Sequence, residues 1–171
     1  QHPDQGGSGY RGSTAGSLVG YQNTISGPLG GGLSTGYFKT KIIFDDCAGH
    51  SNTTSYYLTG SLSLEAIKNL KFVGTLKGGM HKTNLRRNLL TLNEYATANI
   101  TAKDIGAQLA AKYTVKHQNL KIEPHFLAGF TKAMRDRYQE SVSVGLPLEV
   151  SAGSTRWVNL RLGVLTESTW L

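Results

Sequence analysis

The chain has 171 residues, a length that suits one domain, and it contains 21 glycines, 8 tyrosines and only 17% charged residues. This composition favours closely packed strands over an amphipathic helix bundle, and no run approaches the ~18 consecutive apolar residues of a transmembrane helix. The net charge of +7 does not predict nucleic-acid binding, because the basic residues are spread out and do not interleave with aromatic residues as a base-stacking surface requires.

The N-terminal segment, residues 1–12, is rich in glycine and polar side chains. We expect it to form a flexible lead-in, followed by a single β-barrel domain over residues 13–171. The segment lacks the basic and apolar regions of a signal peptide. Cys47 is the only cysteine, which excludes an internal disulfide and provides no metal-ligand or catalytic spacing.

Large apolar side chains alternate with small polar or charged ones through most of the chain. Only a β-strand has this two-residue period. The alternation predicts an all-β, antiparallel, up-and-down meander of about eight strands, most of them long enough to cross a bilayer. The clearest segments are residues 55–65, 70–81, 104–116, 120–131, 141–151 and 157–164, with weaker glycine-rich segments around Val19 and Leu33.

The connections alternate between short and long, as in outer-membrane barrels with periplasmic turns and longer extracellular loops. The predicted short connections are residues 23–28, 66–69, 117–119 and 152–154, and the long ones are 44–53, 82–101 and 132–138. Within residues 82–101 a helical turn is predicted at Leu85, Leu89, Leu90 and Leu92. Eight strands would leave both ends of the run on the long-loop side. We therefore expect either one missed strand at each end or a segment of a larger barrel.

One face of the predicted strands is apolar, and the opposite face is rich in glycine, serine and threonine with scattered charges. If the apolar face contacts lipid, the charged side chains line the lumen. The predicted lumen-lining residues are Lys71, Lys77, Asp104, Lys112, Lys121, Glu123, His125, Glu149 and Arg161. Pro124 would lie on the lipid face and removes a ladder donor, so it requires a bulge or a strand end.

Several segments resemble successive strands of the C-terminal β-barrel of bacterial autotransporters. They are GSLVGY at 16–21, GPLGGGLSTGY at 27–37, YYLTGSLSL at 56–64, IGAQLAAKYTV at 105–115 and LKIEPHFLAGFT at 120–131. The resemblance covers most of the chain and implies an outer-membrane translocator that anchors or passes an exported passenger segment. It also implies contacts with outer-membrane lipid and the barrel-assembly machinery. The chain has fewer strands than that family's barrel and matches an inner run of them.

Two alternatives remain open from the sequence. A soluble, secreted barrel of the lipocalin type would turn its apolar face inward around an apolar ligand, and a surface or fibre-forming β subunit would show the same alternation. Enzymatic activity is not expected, because no nucleophile, base and orienting group have a catalytic spacing. His81 and His125 are interpreted as hydrogen-bonded side chains of the polar face, and no cofactor or metal site is predicted.

Overall fold

A computed structural model of the protein describes residues 9–44, 48–89, 94–142 and 147–168. Within these ranges the chain is built from β-strands and their connections. The strands are β1 (Tyr10–Ser26), β2 (Leu29–Phe44), β3 (Gly49–Ile67), β4 (Leu70–Leu89), β5 (Glu94–Tyr113), β6 (Val115–His117), β7 (Leu120–Arg135), β8 (Tyr138–Gln139), β9 (Ser141–Val142), β10 (Glu149–Val150) and β11 (Gly153–Ser168).

Seven long strands form one antiparallel sheet in the order β1-β2-β3-β4-β5-β7-β11, and we call these the wall strands. Each has 16 to 20 residues, more than the roughly 9–11 that a tilted strand needs to cross a bilayer. Each wall strand pairs with its neighbours in sequence, so the predicted all-β meander is confirmed. Within the described residues, the outer edges of β1 and β11 have no partner strand.

The wall strands meet at a short-connection end and a long-connection end. The short connections follow β1, β3 and β6, and glycine or a left-handed residue makes each turn possible: Gly27, Asn69 and Gln118 have φ values of 48°, 76° and 49°. Each successive short connection protrudes farther at the short-connection end of the sheet than the one before. Leu29 is opposite Leu64, but the β3–β4 ladder continues to Ile67, and β6 carries pairing with β7 farther still.

The register places the residues of each parity on a common face across all seven strands. One lateral row runs Tyr21, Leu33, Gly60, Leu76, Ala107, Phe130, Val158. We call the side that carries this row the apolar face and the opposite side the polar face. Large apolar side chains of the apolar face are exposed, up to 85% for Leu162, whereas Ser51, Ser55 and Thr131 of the polar face are buried.

The aromatic residues of the apolar face lie near both ends of its apolar band. Tyr37 and Tyr56 are directly opposite each other toward the long-connection end, with ring centroids 5.2 Å apart. Phe72 and Tyr113 lie toward the short-connection end of β4 and β5. Aromatic rings at two levels are the arrangement that interfacial girdles show in membrane barrels.

Pro124 lies at an interruption of the ladder, as predicted. The β5–β7 pairing ends at Lys112 and His125, and pairing resumes between Val115 and Ile122 after Thr114. The backbone N–H of Thr114 turns instead to the Asn69 carbonyl, 2.8 Å away. Pro124, which has no N–H to donate, therefore lies beside an interruption of the ladder with β5, while it remains opposite Val164 in the ladder with β11.

Two predicted connections are largely strand. The predicted loop at residues 82–101 is occupied by the end of β4 and the start of β5, and only residues 90–93 separate them. Leu85 and Leu89 belong to β4, so the predicted helical turn is wrong at these positions, while Leu90 and Leu92 lie outside the described residues. The predicted loop at 44–53 is shortened in the same way, because β3 begins at Gly49.

The predicted strand at residues 141–151 does not form a wall strand, although β9 adds a two-residue ladder to β5. Its described parts form the two-residue strands β9 and β10, and β10 pairs with β8 in a separate two-stranded sheet. Within the described residues the wall therefore has seven strands where about eight were predicted. The last of them, β11, runs toward the short-connection end, where Ser168 is opposite Leu120. The expectation that both ends of the strand run lie on the long-loop side is wrong for this reason.

β1 begins at Tyr10, so the last three residues of the predicted lead-in belong to the wall. Residues 1–8 and Cys47 lie outside the described residues. No helix within the described ranges is long and apolar enough to span a membrane.

Candidate functional site: the polar face of the sheet

Eight of the nine predicted lumen-lining residues lie on the polar face. Lys71 and Lys112 are directly opposite each other on β4 and β5, and Lys77 lies farther along β4. Their position follows from the two-residue period, because one face of a strand holds every second residue. The remaining residues on this face are Asp104 of β5, Lys121, Glu123 and His125 of β7, and Arg161 of β11.

Glu149 is the exception. It lies in β10, opposite Gln139 of β8, and forms an ion pair with Arg137 away from the wall strands. Both partners are exposed, with 48% and 69% of their side chains accessible. The prediction that Glu149 lines the polar face is wrong, because the segment that carries it belongs to the connection between β7 and β11.

Glu123 gathers three of the predicted residues into one cluster. Its carboxylate lies 3.3 Å from Lys121 Nζ and 3.7 Å from Lys112 Nζ, and it accepts a 2.8 Å hydrogen bond from Thr114 Oγ1. Glu123 is only 7% exposed. A carboxylate so enclosed requires partners to offset its lost hydration. It therefore neutralises part of the basic charge that the sequence predicted for this face.

A second cluster joins β3, β4 and β5 nearer the long-connection end. His81 Nδ1 lies 2.9 Å from Ser55 Oγ, and His81 Nε2 lies 2.6 Å from Asp104 Oδ2. The register brings these residues together, since Ser55 is opposite His81, and Asp104 is opposite Gly79, two residues before His81 on the same face of β4. The three side chains thus tie three strands to one another across the polar face.

Aromatic rings cover the glycines that flank this cluster. Tyr57 packs edge-on against the imidazole of His81, with ring centroids 5.3 Å apart, and against Phe38 at 5.8 Å. A Cβ atom on Gly79 would lie 3.0 Å from the Tyr57 ring, and one on Gly36 would lie 2.9 Å from Phe38. The glycines leave room for the rings to lie flat on neighbouring strands, which shields otherwise open backbone.

Serine, histidine and aspartate in hydrogen-bond contact have the composition of a hydrolytic triad. A hydrolase also needs an accessible nucleophile and free backbone or side-chain donors for the developing oxyanion. Ser55 is only 6% exposed, and its strand is paired on both edges, opposite Phe38 and His81. The N–H groups around Ser55 are therefore committed to the sheet ladder.

The long connection after β7 is fastened to the wall by an ion pair. Arg87 near the end of β4 donates to both carboxylate oxygens of Glu140, at 3.2 Å from Nε and 2.6 Å from Nη2. Glu140 is 4% exposed, and its backbone N–H donates to the Leu148 carbonyl. Two parallel bonds to a buried carboxylate form the strongest ion-pair geometry available to arginine.

Sequence reasoning missed Ser55, Tyr57, Arg87 and Glu140 as members of these clusters. The alternation assigned Ser55 and Tyr57 to the polar face but could not show which residues on different strands lie opposite each other. That information lies in the register, which the turns determine. Within the described residues, no group of three or more histidine, cysteine, aspartate and glutamate side chains could hold a metal ion.

Comparison with protein families and solved structures relates this architecture to known proteins. The sequence profile of the family described as "Autotransporter beta-domain" matches residues 1–171. No curated protein sequence matches the chain. The match covers every wall strand, so the family and the polar-face clusters concern the same part of the molecule.

Solved structures of two autotransporter domains and of a siderophore receptor share this fold. The translocator domain of the autotransporter NalP from Neisseria meningitidis has a TM-score of 0.83 at 14% identity, over 94% of this chain and 56% of that one. The β domain of the Bordetella autotransporter BrkA has a TM-score of 0.69 at 16% identity, over 91% and 61%. The siderophore receptor PiuA from Acinetobacter baumannii has a TM-score of 0.52 at 12% identity, over 92% and 32%. The chain thus spans a little over half of each autotransporter structure.

Proposed function

Because the chain belongs to the autotransporter β-domain family, and so is an outer-membrane β-barrel protein, we propose that its strands form part of the wall of a translocator. In this proposal an exported passenger segment lies against the polar face or passes along it. The apolar face contacts lipid. The soluble lipocalin-like alternative is not favoured, because a barrel of that type encloses its apolar side chains, whereas Leu76 and Leu162 are 68% and 85% exposed here.

The observation that carries the proposal is the separation of residue types between the two faces. An extended chain can move past a surface only if that surface offers water, hydrogen-bonding groups and room. The polar face of β2 and β3 has small and hydroxyl-bearing side chains along most of its length: Gly30, Gly32, Ser34 and Gly36 on β2, and Ser55, Thr59, Ser61 and Ser63 on β3.

The charged residues give the passage a predominantly basic surface. Lys71, Lys77 and Arg161 form no ion pair with another described residue, whereas Glu123 neutralises Lys112 and Lys121 in part. Free cations in a narrow polar passage attract acidic and polar segments through their field. We therefore propose that Lys71, Lys77 and Arg161 are the lumen-lining cations that an exported segment meets.

The Ser55, His81 and Asp104 cluster is proposed to be structural and not catalytic. Its support is the burial of Ser55 and the commitment of the neighbouring N–H groups to the ladder.

Insertion of the strands is proposed to require the barrel-assembly machinery, because edges with open N–H and C=O groups cannot enter hydrocarbon unpaired.

Site-specific photo-cross-linking in the full-length protein tests the proposed passage. A photoreactive amino acid replaces Thr59 on the polar face in one variant and the adjacent Leu58 on the apolar face in the other. Irradiation during export is expected to join position 59, but not position 58, to the exported segment. Cross-linking of equal yield from both positions, or from position 58 alone, would contradict the proposal.

A further inference from the structure

The apolar face carries charge of one sign. Every carboxylate of the described wall strands lies on the polar face: Glu65, Glu94, Asp104, Glu123 and Glu167. The charged residues of the apolar face are all basic, and all of them lie toward the long-connection end: Arg11, Lys39, Lys41, Lys82, Arg86, Lys103, Lys132 and Arg156. Charge scattered only for solubility would be mixed in sign and present at both ends.

Six of these basic residues follow a line that moves toward the short-connection end from β2 to β11: Lys39, Lys41, Lys82, Lys103, Lys132 and Arg156. Lys82 is opposite Thr101, whereas Lys103 on the same neighbouring strand is two residues closer to the short-connection end. Lys132 is opposite Ile105, two residues closer again, and Arg156 is opposite Lys132. The short connections step in the same direction. Strands tilted by about 40° shift roughly one residue per strand relative to the membrane plane, so the line lies near one depth.

Neutral hydrogen-bonding groups fill the positions between the cations. Lys39, Thr54, Lys82 and Thr101 form one lateral row, and Lys41, Asn52, Asn84 and Asn99 form the next row toward the long-connection end. Neighbouring strands are about 4.8 Å apart, so the two lysines of the first row lie about 10 Å apart with a hydroxyl between them. This pattern presents both charge and donors to an anion.

No ion pair with a described acidic residue involves Lys39, Lys41, Lys82, Lys103, Lys132 or Arg156. The described salt bridges involve His81, Arg87, Lys112, Lys121 and Arg137, all on the polar face or in the connection after β7. Lys39, Lys82 and Lys103 are exposed. Tyr37 and Tyr56 form the next row of the apolar face from Lys39 and Thr54, on the side of the short-connection end. Membrane barrels place aromatic rings at this kind of position, next to the interface.

We propose that these residues, the basic belt (Lys39, Lys41, Lys82, Lys103, Lys132 and Arg156), bind the phosphate groups of phosphorylated lipids in the outer leaflet. In an outer-membrane barrel the long connections are extracellular, so the belt faces the headgroups of that leaflet. Lysine and arginine extend their aliphatic stems along apolar surface and place their charge at the headgroup level. Their amines and guanidinium groups then donate charge-assisted hydrogen bonds to phosphate oxygens.

Lipid binding by the full-length protein tests the belt. The probe is bisphosphorylated lipid A at low mole fraction in phosphatidylcholine vesicles, with chemically dephosphorylated lipid A as the second arm. The test variant combines Lys82→Gln, Lys103→Gln, Lys132→Gln and Arg156→Gln. We expect it to bind the phosphorylated probe at least tenfold more weakly than the unaltered protein. We expect the dephosphorylated probe to bind weakly and equally to both.

The matched control removes the same charge from the polar face through Lys71→Gln, Lys77→Gln, Lys112→Gln and Arg161→Gln, and it should change lipid affinity less than twofold. An equal loss in the control, an unchanged affinity in the test variant, or equal binding of both probes would overturn the proposal. Displacement of the lipid by millimolar inorganic phosphate would also overturn it, because the site would then be one for free phosphate.

A variant that keeps the charge separates lost binding from lost folding. Lys82→Arg combined with Lys103→Arg retains both cations and should bind the phosphorylated probe within twofold of the unaltered protein. The milder pair Lys82→Gln and Lys103→Gln should weaken binding at least threefold and make the affinity less dependent on salt concentration, because two of the six cations are removed. If the pair binds as tightly as its arginine counterpart, the belt is not a phosphate site.

Discussion

Asp104 and His81 form the closest described contact among the polar side chains of the sheet centre, with 2.6 Å between Nε2 and Oδ2. The carboxylate is 11% exposed and the imidazole 19%. Sequence reasoning predicted that His81 is a hydrogen-bonded side chain of the polar face, and the contact confirms it. It could not name the partners, because Ser55 and Asp104 lie on two other strands.

Asp104→Asn is expected to lower the free energy of unfolding by about 1–3 kcal/mol, since a partly buried hydrogen bond to a charged group is replaced by a weaker or mismatched one. The measurement is the temperature at which the folded protein changes to its unfolded mobility on a gel. Gln108→Asn on the same strand and face is the control, because Gln108 is exposed. A drop as large in the control would show that the effect is not specific to the histidine contact.

Glu149 shows what alternation cannot determine about a residue. Residues 141–151 have the same period as the wall strands, yet the described part pairs with β8 and β5 in short ladders. A two-residue period shows which side chains share a face but does not select the sheet that a strand joins. The position of Glu149 depends on pairing and could not follow from its own sequence neighbourhood.

Adjacent glycines on β4 differ in what surrounds them. An added Cβ on Gly79 would contact Asp104 Oδ2 and the Tyr57 ring, whereas on Gly78 the nearest atom is the Asp104 carbonyl oxygen at 3.9 Å. Gly79→Ala should therefore push the Asp104 carboxylate away from His81 and lower stability, while Gly78→Ala should be nearly neutral. Thermal unfolding of the two variants in the same detergent compares them directly.

The double variant Gly79→Ala with Asp104→Asn sharpens this expectation. If both changes act through the same contact, their combined loss of stability is smaller than the sum of the single losses. Additive losses would mean that the alanine acts through the Tyr57 ring or the strand itself.

Two ion pairs in the connection after β7 are predicted to differ in importance. Arg87 and Glu140 join this connection to β4 through a carboxylate that is 3% exposed, whereas Arg137 and Glu149 are both largely exposed. Exposed pairs contribute little, whereas Glu140→Gln replaces two charge-assisted hydrogen bonds from Arg87 at an enclosed position by weaker ones. Hydrogen exchange of residues 138–142 should rise sharply in Glu140→Gln and hardly in Glu149→Gln. Similar exchange in the two variants would show that other contacts hold the connection in place.

The ends of the strands were predicted too short for a physical reason. Toward the long-connection end both faces carry polar residues, among them Asn52, Asn84 and Asn99 on the apolar side. Where both faces contact water, apolar and polar residues no longer alternate, although the backbone remains paired with its neighbours. The apolar centre of each strand was predictable, and its polar extension to Leu89 or from Glu94 was not.

For the whole molecule, the central expectation is that Leu76 faces lipid and Lys77 faces the passage. A lysine at position 76 would place its charge in the hydrocarbon at a cost of roughly 2–4 kcal/mol, so Leu76→Lys should block membrane assembly, and so should Leu109→Lys. Lys77→Gln and Lys112→Gln should be tolerated. The amount of heat-modifiable protein in the outer-membrane fraction measures each variant. The reverse ranking would mean that the two faces have been assigned to the wrong sides.

The stepped short connections have a consequence for the dimensions of the passage. Each step displaces one strand pair along the next, and the sum of these displacements around a closed barrel is its shear. Together with the number of strands, shear determines the tilt and therefore the radius. In the proposed translocator Gly27, Asn69 and Gln118, which allow the chain to turn at these points, would therefore influence the width of the passage although they lie in the connections between strands. Shifting the position of one of these turns by two residues along its strands would change the width of the proposed passage without replacing any residue that lines it.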